Sequence, residues 1–173
     1  HFIDKNLKLK NYNFEGDALI TNKKEFPIAI LTADCAPILI YDEKEKMIAA
    51  IHAGWKGAFK GIIKRTLNFM IKKGCMPKNI TAVIGPCISV KNYEVKKDFI
   101  KKLIKKDGKN KKFFKKIQNK DFFNLKKYIY SQLKTLNIKK IDIINKDTFN
   151  PKNSFFSARR SISRNENDYG RNI

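Results

Sequence analysis

Ile28-Ala29-Ile30-Leu31-Thr32-Ala33-Asp34-Cys35-Ala36-Pro37-Ile38-Leu39-Ile40-Tyr41-Asp42-Glu43-Lys44-Glu45-Lys46-Met47-Ile48-Ala49-Ala50-Ile51-His52-Ala53-Gly54-Trp55-Lys56-Gly57 holds three short apolar runs. Ile28–Leu31, Pro37–Tyr41 and Met47–Ile51 each read as a buried strand. Asp42–Lys46 is a polar turn that predicts a hairpin between the second and third. Further strands are expected at Ile80–Ile84 and Ile141–Ile144. Phe59, Ile62, Ile63, Thr66, Leu67 and Met70 recur at helical spacing, and Gly74 is placed to stop that helix. Val95, Phe99, Ile100, Leu103 and Ile104 form a second helical stripe ending near Gly108. Phe122, Leu125, Ile129, Leu133 and Leu136 form a third. The highly charged Lys105–Lys120 is expected to carry a loop, and the polar Ser161–Ile173 reads as a mobile tail. Strands and helices mix without regular βαβ alternation, which predicts an α+β domain. No linker divides the chain, so residues 1–173 are expected to form a single domain.

The 173 residues are 42% hydrophobic and 12% aromatic, a globular composition. No apolar run approaches the roughly 20 residues of a membrane span, and no signal-peptide pattern opens the chain. The net charge is +22, from 38 basic and 16 acidic residues. A charge of this size raises a nucleic-acid-binding module as one reading. Only five of the basic residues are Arg, the residue whose fork suits guanine and phosphate. Lys is spread along the chain beside inflated Asn and Ile, as in an AT-rich genome. A solvated surface without sequence-specific nucleic-acid recognition is therefore expected. Cys35, Cys75 and Cys87 are odd in number and lack CxxC spacing, which argues against a disulfide framework and suits a reducing cytoplasm.

Three segments place reactive or small residues directly after a strand: Thr32–Pro37, Ile51–Gly57 and Ile84–Ile88. Strand ends are fixed points from which loops present side chains to a cleft. In the register of the predicted hairpin, Cys35 comes close to His52. A thiolate and an imidazole are good zinc ligands, and His1 could supply the third protein ligand of a catalytic site with an open water position. The same pair without metal would be a nucleophile, Cys35, with its base, His52. The bland alternatives are a buried small thiol and a hydrogen-bonded histidine.

At these segments the chain resembles the laccase-domain or "multicopper polyphenol oxidase" family, regarded as zinc-dependent purine nucleoside phosphorylases with adenosine deaminase activity. The resemblance rests on Gly16–Thr21, Leu31–Leu39, His52-Ala53-Gly54-Trp55-Lys56-Gly57, Ile84-Gly85-Pro86-Cys87-Ile88, Tyr93-Glu94-Val95, Phe155–Arg160 and Gly170-Arg171, in the family's order. It implies a layered α/β/β/α arrangement with mixed sheets. It also implies a metal site of His1, Cys35 and His52, with zinc as the metal and copper as the alternative.

The resemblance further implies a purine nucleoside and phosphate as substrates. Activated water would attack C6 of adenine in deamination, and phosphate the ribose anomeric carbon in phosphorolysis. Arg171 and Lys56 are the phosphate candidates. Asp34 and Asp17 would orient a ligand or act as a base, Cys87 lies in a substrate-side loop, and Trp55 could stack on a base. Lys56 stands where the family commonly has Arg, and Asn124 where it often has Asp. The family's additional N-terminal region, with cleft-lining Asn and Arg, is not in this sequence. The family is related to a bacterial toxin deamidase with a Cys–His pair, which keeps a thiol hydrolase as an alternative. Copper-dependent phenol oxidation is disfavoured, because two histidines cannot build several copper centres.

Overall fold

The computed structural model describes residues 1–4 and 15–173. Its strands are β1 (Phe2–Ile3), β2 (Ala18–Thr21), β3 (Ala36–Asp42), β4 (Met47–Ala53), β5 (Ile80–Ile84), β6 (Phe114–Ile117), β7 (Lys120–Phe123) and β8 (Lys140–Ile143). The α-helices are α1 (Trp55–Phe59), α2 (Ile62–Lys72), α3 (Lys97–Lys106), α4 (Leu125–Thr135) and α5 (Ala158–Ser163). Six strands form one mixed sheet in the order β1-β2-β4-β3-β5-β8, and β6 and β7 form a separate ribbon. This is the expected α+β domain with mixed sheets.

The predicted hairpin is the centre of the sheet. β3 pairs antiparallel with β4, with Ile38 opposite Ile51 and Pro37 opposite His52. Asp42 holds the turn: its buried carboxylate accepts from the Lys44 and Glu45 amides, both at 2.9 Å, and from the Met76 amide at 3.2 Å. Alternation sets the faces. Ala36, Ile38 and Ile40 are buried, whereas Leu39 and Tyr41 point the other way and are exposed. On the buried face α2 packs Ile63, Leu67 and Met70, and α4 adds Leu125, Ile129 and Leu133 to the same core. An aromatic cluster extends that core. Phe123 meets Phe99, Phe114, Tyr128 and Tyr93 at ring separations of 5.0 to 5.8 Å, tilted or edge-on, as the ring quadrupoles prefer.

Several expectations are corrected. Ile28–Leu31 is not a strand. β2 and β3 both run antiparallel to β4, which lies between them, so their connection must cross over β4, and Ile28, Ala29 and Ile30 line a pocket with Leu39 and Val83 instead of pairing as a strand. Lys105–Lys120 is not a plain loop. It holds the end of α3, a 3-10 helix at Gly108–Phe113 and strand β6, anchored by buried Asn110 and Phe113. The helical stripe from Phe59 to Met70 is broken in two at Gly61, whose φ of +84° suits a residue without a β-carbon. The third stripe begins at Leu125. Phe122 belongs to β7, and Asn124 caps α4 by accepting from the Lys127 amide at 2.9 Å. The tail is docked rather than loose. Asn172 pairs with Thr32 through backbone bonds of 2.9 and 2.7 Å, and its side chain bonds both backbone groups of Phe156. No helix among the described residues is long and apolar enough to cross a membrane.

Candidate active site

Cys35 and His52 meet at one end of the β3–β4 pair. Ala36 is opposite Ala53, so Cys35 and Gly54 stand just beyond the ladder. A β-carbon built on Gly54 would lie 2.7 Å from Cys35 Sγ and 3.9 Å from His52 Nε2. The absence of a side chain at Gly54 is what lets thiol and imidazole approach the same point.

The third strand of this end supplies Asp17. The His52 amide donates to the Asp17 carbonyl at 2.8 Å, and His52 Nδ1 lies 3.1 Å from Asp17 Oδ1. A carboxylate accepts there, so Nδ1 carries the proton and Nε2 is left with its lone pair on the Cys35 side. A carboxylate behind an imidazole is the arrangement that orients a metal-ligating histidine.

His1 lies at the same edge. Its carbonyl accepts from the Ile20 amide at 2.8 Å, and its amino group donates to the Ala18 carbonyl at 2.7 Å. Its ring packs against Gly16, next to Asp17, with Nε2 on the Glu15 carbonyl. Among the described residues, no three His, Cys, Asp or Glu side chains close on one point. The residue types fit zinc chemistry: a thiol and an imidazole with a carboxylate behind it converge, while the His1 imidazole is turned to the Glu15 carbonyl.

The electrostatics of the pair favour a cation. Burial, then Asp34 and Asp17, push the Cys35 thiol up to about 11. Reactive cysteines need the opposite surroundings, electropositive ones that stabilise the thiolate. The carboxylates of Asp34 and Asp17 near this thiol would favour a cation at the site.

Asp34 is placed behind the site. It adopts φ +80° and is 8% exposed. Its carboxylate accepts from Thr148 Oγ1 at 2.6 Å, Ser157 Oγ at 2.9 Å and the Arg159 amide at 2.7 Å. Its carbonyl accepts from the Ile88 amide at 3.0 Å. The residue thereby ties the Cys35 loop to the Gly85–Ile88 loop and to α5, which gives it a positioning role. Cys87 is also behind the site: it is fully buried, and burial pushes its thiol up to about 12. Lys56 is exposed, with Nζ 5.8 Å from the Trp55 ring. Arg171 is exposed and stacks 4.0 Å from the Tyr169 ring. Arg171 also donates to the Tyr169 and Gly170 carbonyls. Trp55 packs edge-on against Phe99 at 4.7 Å and lines a cleft of about 730 Å³.

Tyr93 and Arg159 share that cleft, and sequence reasoning alone does not mark them as site residues. Both belong to motifs of the family resemblance, but their distance along the chain hides their approach to Cys35.

The fold and this edge of histidine, cysteine and carboxylate define a class. The sequence profile described as multi-copper polyphenol oxidoreductase laccase matches residues 3–173, and the chain belongs to that family. Among relatives, a Rickettsia conorii protein named purine nucleoside phosphorylase is 38% identical over 92% of this chain and 66% of its own. A Haemophilus influenzae protein of the same name is 34% identical over 89% and 63%. The chain thus spans just under two thirds of the length of these curated relatives. Among solved structures, Bacillus licheniformis YfiH, described as a hypothetical protein, superposes with a TM-score of 0.77 at 30% identity, covering 84% of this chain and 57% of that one. A Neisseria meningitidis protein of the DUF152 family gives 0.76 at 28% identity, covering 84% and 60%.

Proposed function

We propose that the chain is a zinc-dependent purine nucleoside phosphorylase that also deaminates adenosine. The observation that carries this reading is the convergence of Cys35 Sγ and His52 Nε2 on the space at Gly54, with Asp17 behind the imidazole. The names of the relatives supply the reaction class. Zinc would be held by Cys35, His52 and His1, and when bound it polarises water or a substrate oxygen.

In phosphorolysis a phosphate oxygen forms a bond to the ribose anomeric carbon. The glycosidic bond breaks, and the purine leaves with its electron pair and gains a proton. In deamination water adds at C6 and ammonia departs. Asp17 keeps His52 in the tautomer that presents Nε2, and the buried network of Asp34 holds the Cys35 loop in place. Three unpaired cysteines fit a reducing compartment, so we place the protein in the cytoplasm.

The test is zinc content per chain, with turnover of inosine and adenosine measured with and without phosphate. Base release that requires phosphate, and conversion of adenosine to inosine that does not, would support both parts. A zinc-loaded protein that turns over neither nucleoside would overturn the reading.

A further inference from the structure

α5 places two adjacent arginines in opposite roles. Arg160 is committed to the backbone. Its guanidinium donates to the carbonyls of Thr148 at 2.8 Å, Phe149 at 3.0 Å and Phe155 at 2.5 Å. Arg159 donates only one side-chain bond among the described residues, from Nη1 to the Glu94 carbonyl at 3.0 Å. The residue lines the cleft beside Trp55, Tyr93 and Phe99, and its remaining donors bond no other described residue.

The position of Arg159 is fixed on both sides. Its amide is held at 2.7 Å by the carboxylate of Asp34, the residue before Cys35. Its guanidinium carbon lies 5.4 Å from the centroid of the Tyr93 ring. The Arg159 backbone is thereby tied to the loop that carries Cys35, and its guanidinium to Tyr93 and Glu94.

The cleft is cationic overall. Lys96, Lys102 and Arg159 line it, against Glu94 and Asp98. Glu94 is already paired with Lys120 at 3.1 Å, which leaves three cations facing one uncompensated carboxylate. Lys102 Nζ sits 5.8 Å from the Trp55 ring and 5.5 Å from that of Phe59. Those contacts fix its stem without using its hydrogen-bond donors. Arginine with open fork donors is the group best matched to a phosphate.

We propose that Arg159 and Lys102 form a phosphate-binding subsite in this cleft, which Trp55, one residue past Gly54, also lines, and that it is distinct from Lys56 and Arg171. The identity of the ligand as phosphate rests on the phosphorylase reading. The shared chemistry is a phosphate dianion, which could arrive as orthophosphate or as the 5′-phosphate of a nucleotide.

Calorimetric titration of the zinc-loaded chain with inorganic phosphate, and separately with adenosine 5′-monophosphate, tests this directly. Arg159→Gln should weaken phosphate binding about tenfold or more, the loss of one charge-assisted contact. Arg159→Lys should recover part of it. Lys102→Gln should weaken it several-fold, and it breaks no hydrogen bond that holds the fold. Arg164→Gln removes the same charge from the far end of α5 and should change binding less than twofold. In turnover, Arg159→Gln should raise the KM for phosphate and leave the KM for inosine nearly unchanged. Tighter binding of orthophosphate than of the nucleotide would identify a co-substrate site, and the reverse a nucleotide site. Equal phosphate affinity in wild type, Arg159→Gln and Lys102→Gln would overturn the subsite, as would an equal loss in Arg164→Gln. Phosphate binding that depends on Arg159 without phosphorolysis would remove the proposed reaction and keep the subsite. Phosphorolysis insensitive to Arg159 would do the opposite.

Discussion

Cys35 and Gly54 face each other just past the β3–β4 ladder, so close that a β-carbon on Gly54 would stand 2.7 Å from the Cys35 sulfur. Real β-carbons do not tolerate that distance, so the thiol and its loop would have to shift. Gly54→Ala is expected to keep the folded sheet while cutting nucleoside turnover at least tenfold. Circular dichroism alongside a turnover assay checks both halves.

Cys35→Ser and His52→Ala are expected to lose zinc and turnover together. A hydroxyl is a much poorer zinc ligand than a thiolate, yet close to it in size. Cys75→Ser should keep both, because Cys75 is buried against Met47, sulfur to sulfur at 3.9 Å, away from the candidate pair. Zinc per chain and adenosine turnover on the three variants decide the matter. A Cys35→Ser protein that kept zinc but lost turnover would make Cys35 a nucleophile instead.

Asp17→Asn should leave Cys35, His52 and His1 in place yet weaken zinc binding by roughly 10- to 100-fold, the usual effect of losing the partner behind a ligating histidine. The amide can present its nitrogen to His52 Nδ1 and favour the wrong tautomer. Competition with a chelator of known affinity measures the change.

Asp34→Ala should destabilise the fold by about 3 kcal/mol or more, since three internal donors lose a buried charged acceptor at once. Urea unfolding monitored by Trp55 fluorescence reads the loss. A midpoint equal to wild type would show that the network around Asp34 does not hold the loops together.

Asp147 predicts an acid limb of stability. Burial alone would raise its carboxyl, but bonds from Ser89, Asn92 and Phe149 outweigh that and lower it below the usual carboxylate value. A depressed folded value means that stability is fully present above the unfolded value, near pH 4, and is lost as pH falls through the folded one. Asp147→Asn should flatten that limb, as thermal unfolding between about pH 2 and 6 would reveal by this linkage.

Much of the fold is legible in local sequence. The hairpin follows from two apolar runs around Asp42–Lys46, and α2, α3 and α4 from stripes with the helical period, because each pattern is set by neighbours in the chain. Ile28–Leu31 departs from that logic. Its composition suits a strand, but β4 already separates β2 from β3, and no local pattern records which sheet edges are filled. The lysines of Lys105–Lys120 similarly mask Asn110, held by the Leu103 carbonyl, and Phe113 and Phe114, ordered by the rings of Phe99, Phe123 and Tyr128.

The candidate site divides in the same way. Cys35 and His52 are readable as neighbours because one hairpin joins them and its register brings them level. The pairing of Asp17 with His52 needs β2 against β4, and the burial of Asp34 needs Thr148 and Ser157, more than a hundred residues away. Sequence by itself determined the central hairpin and its register, the strands at β5 and β8, the main helices α2, α3 and α4, and the residue types available for chemistry. Tertiary structure alone decided that Arg160 braces a loop while Arg159 faces the cleft, because a side chain's partners are set by which distant backbone carbonyls and rings the packed sheet and helices bring within reach.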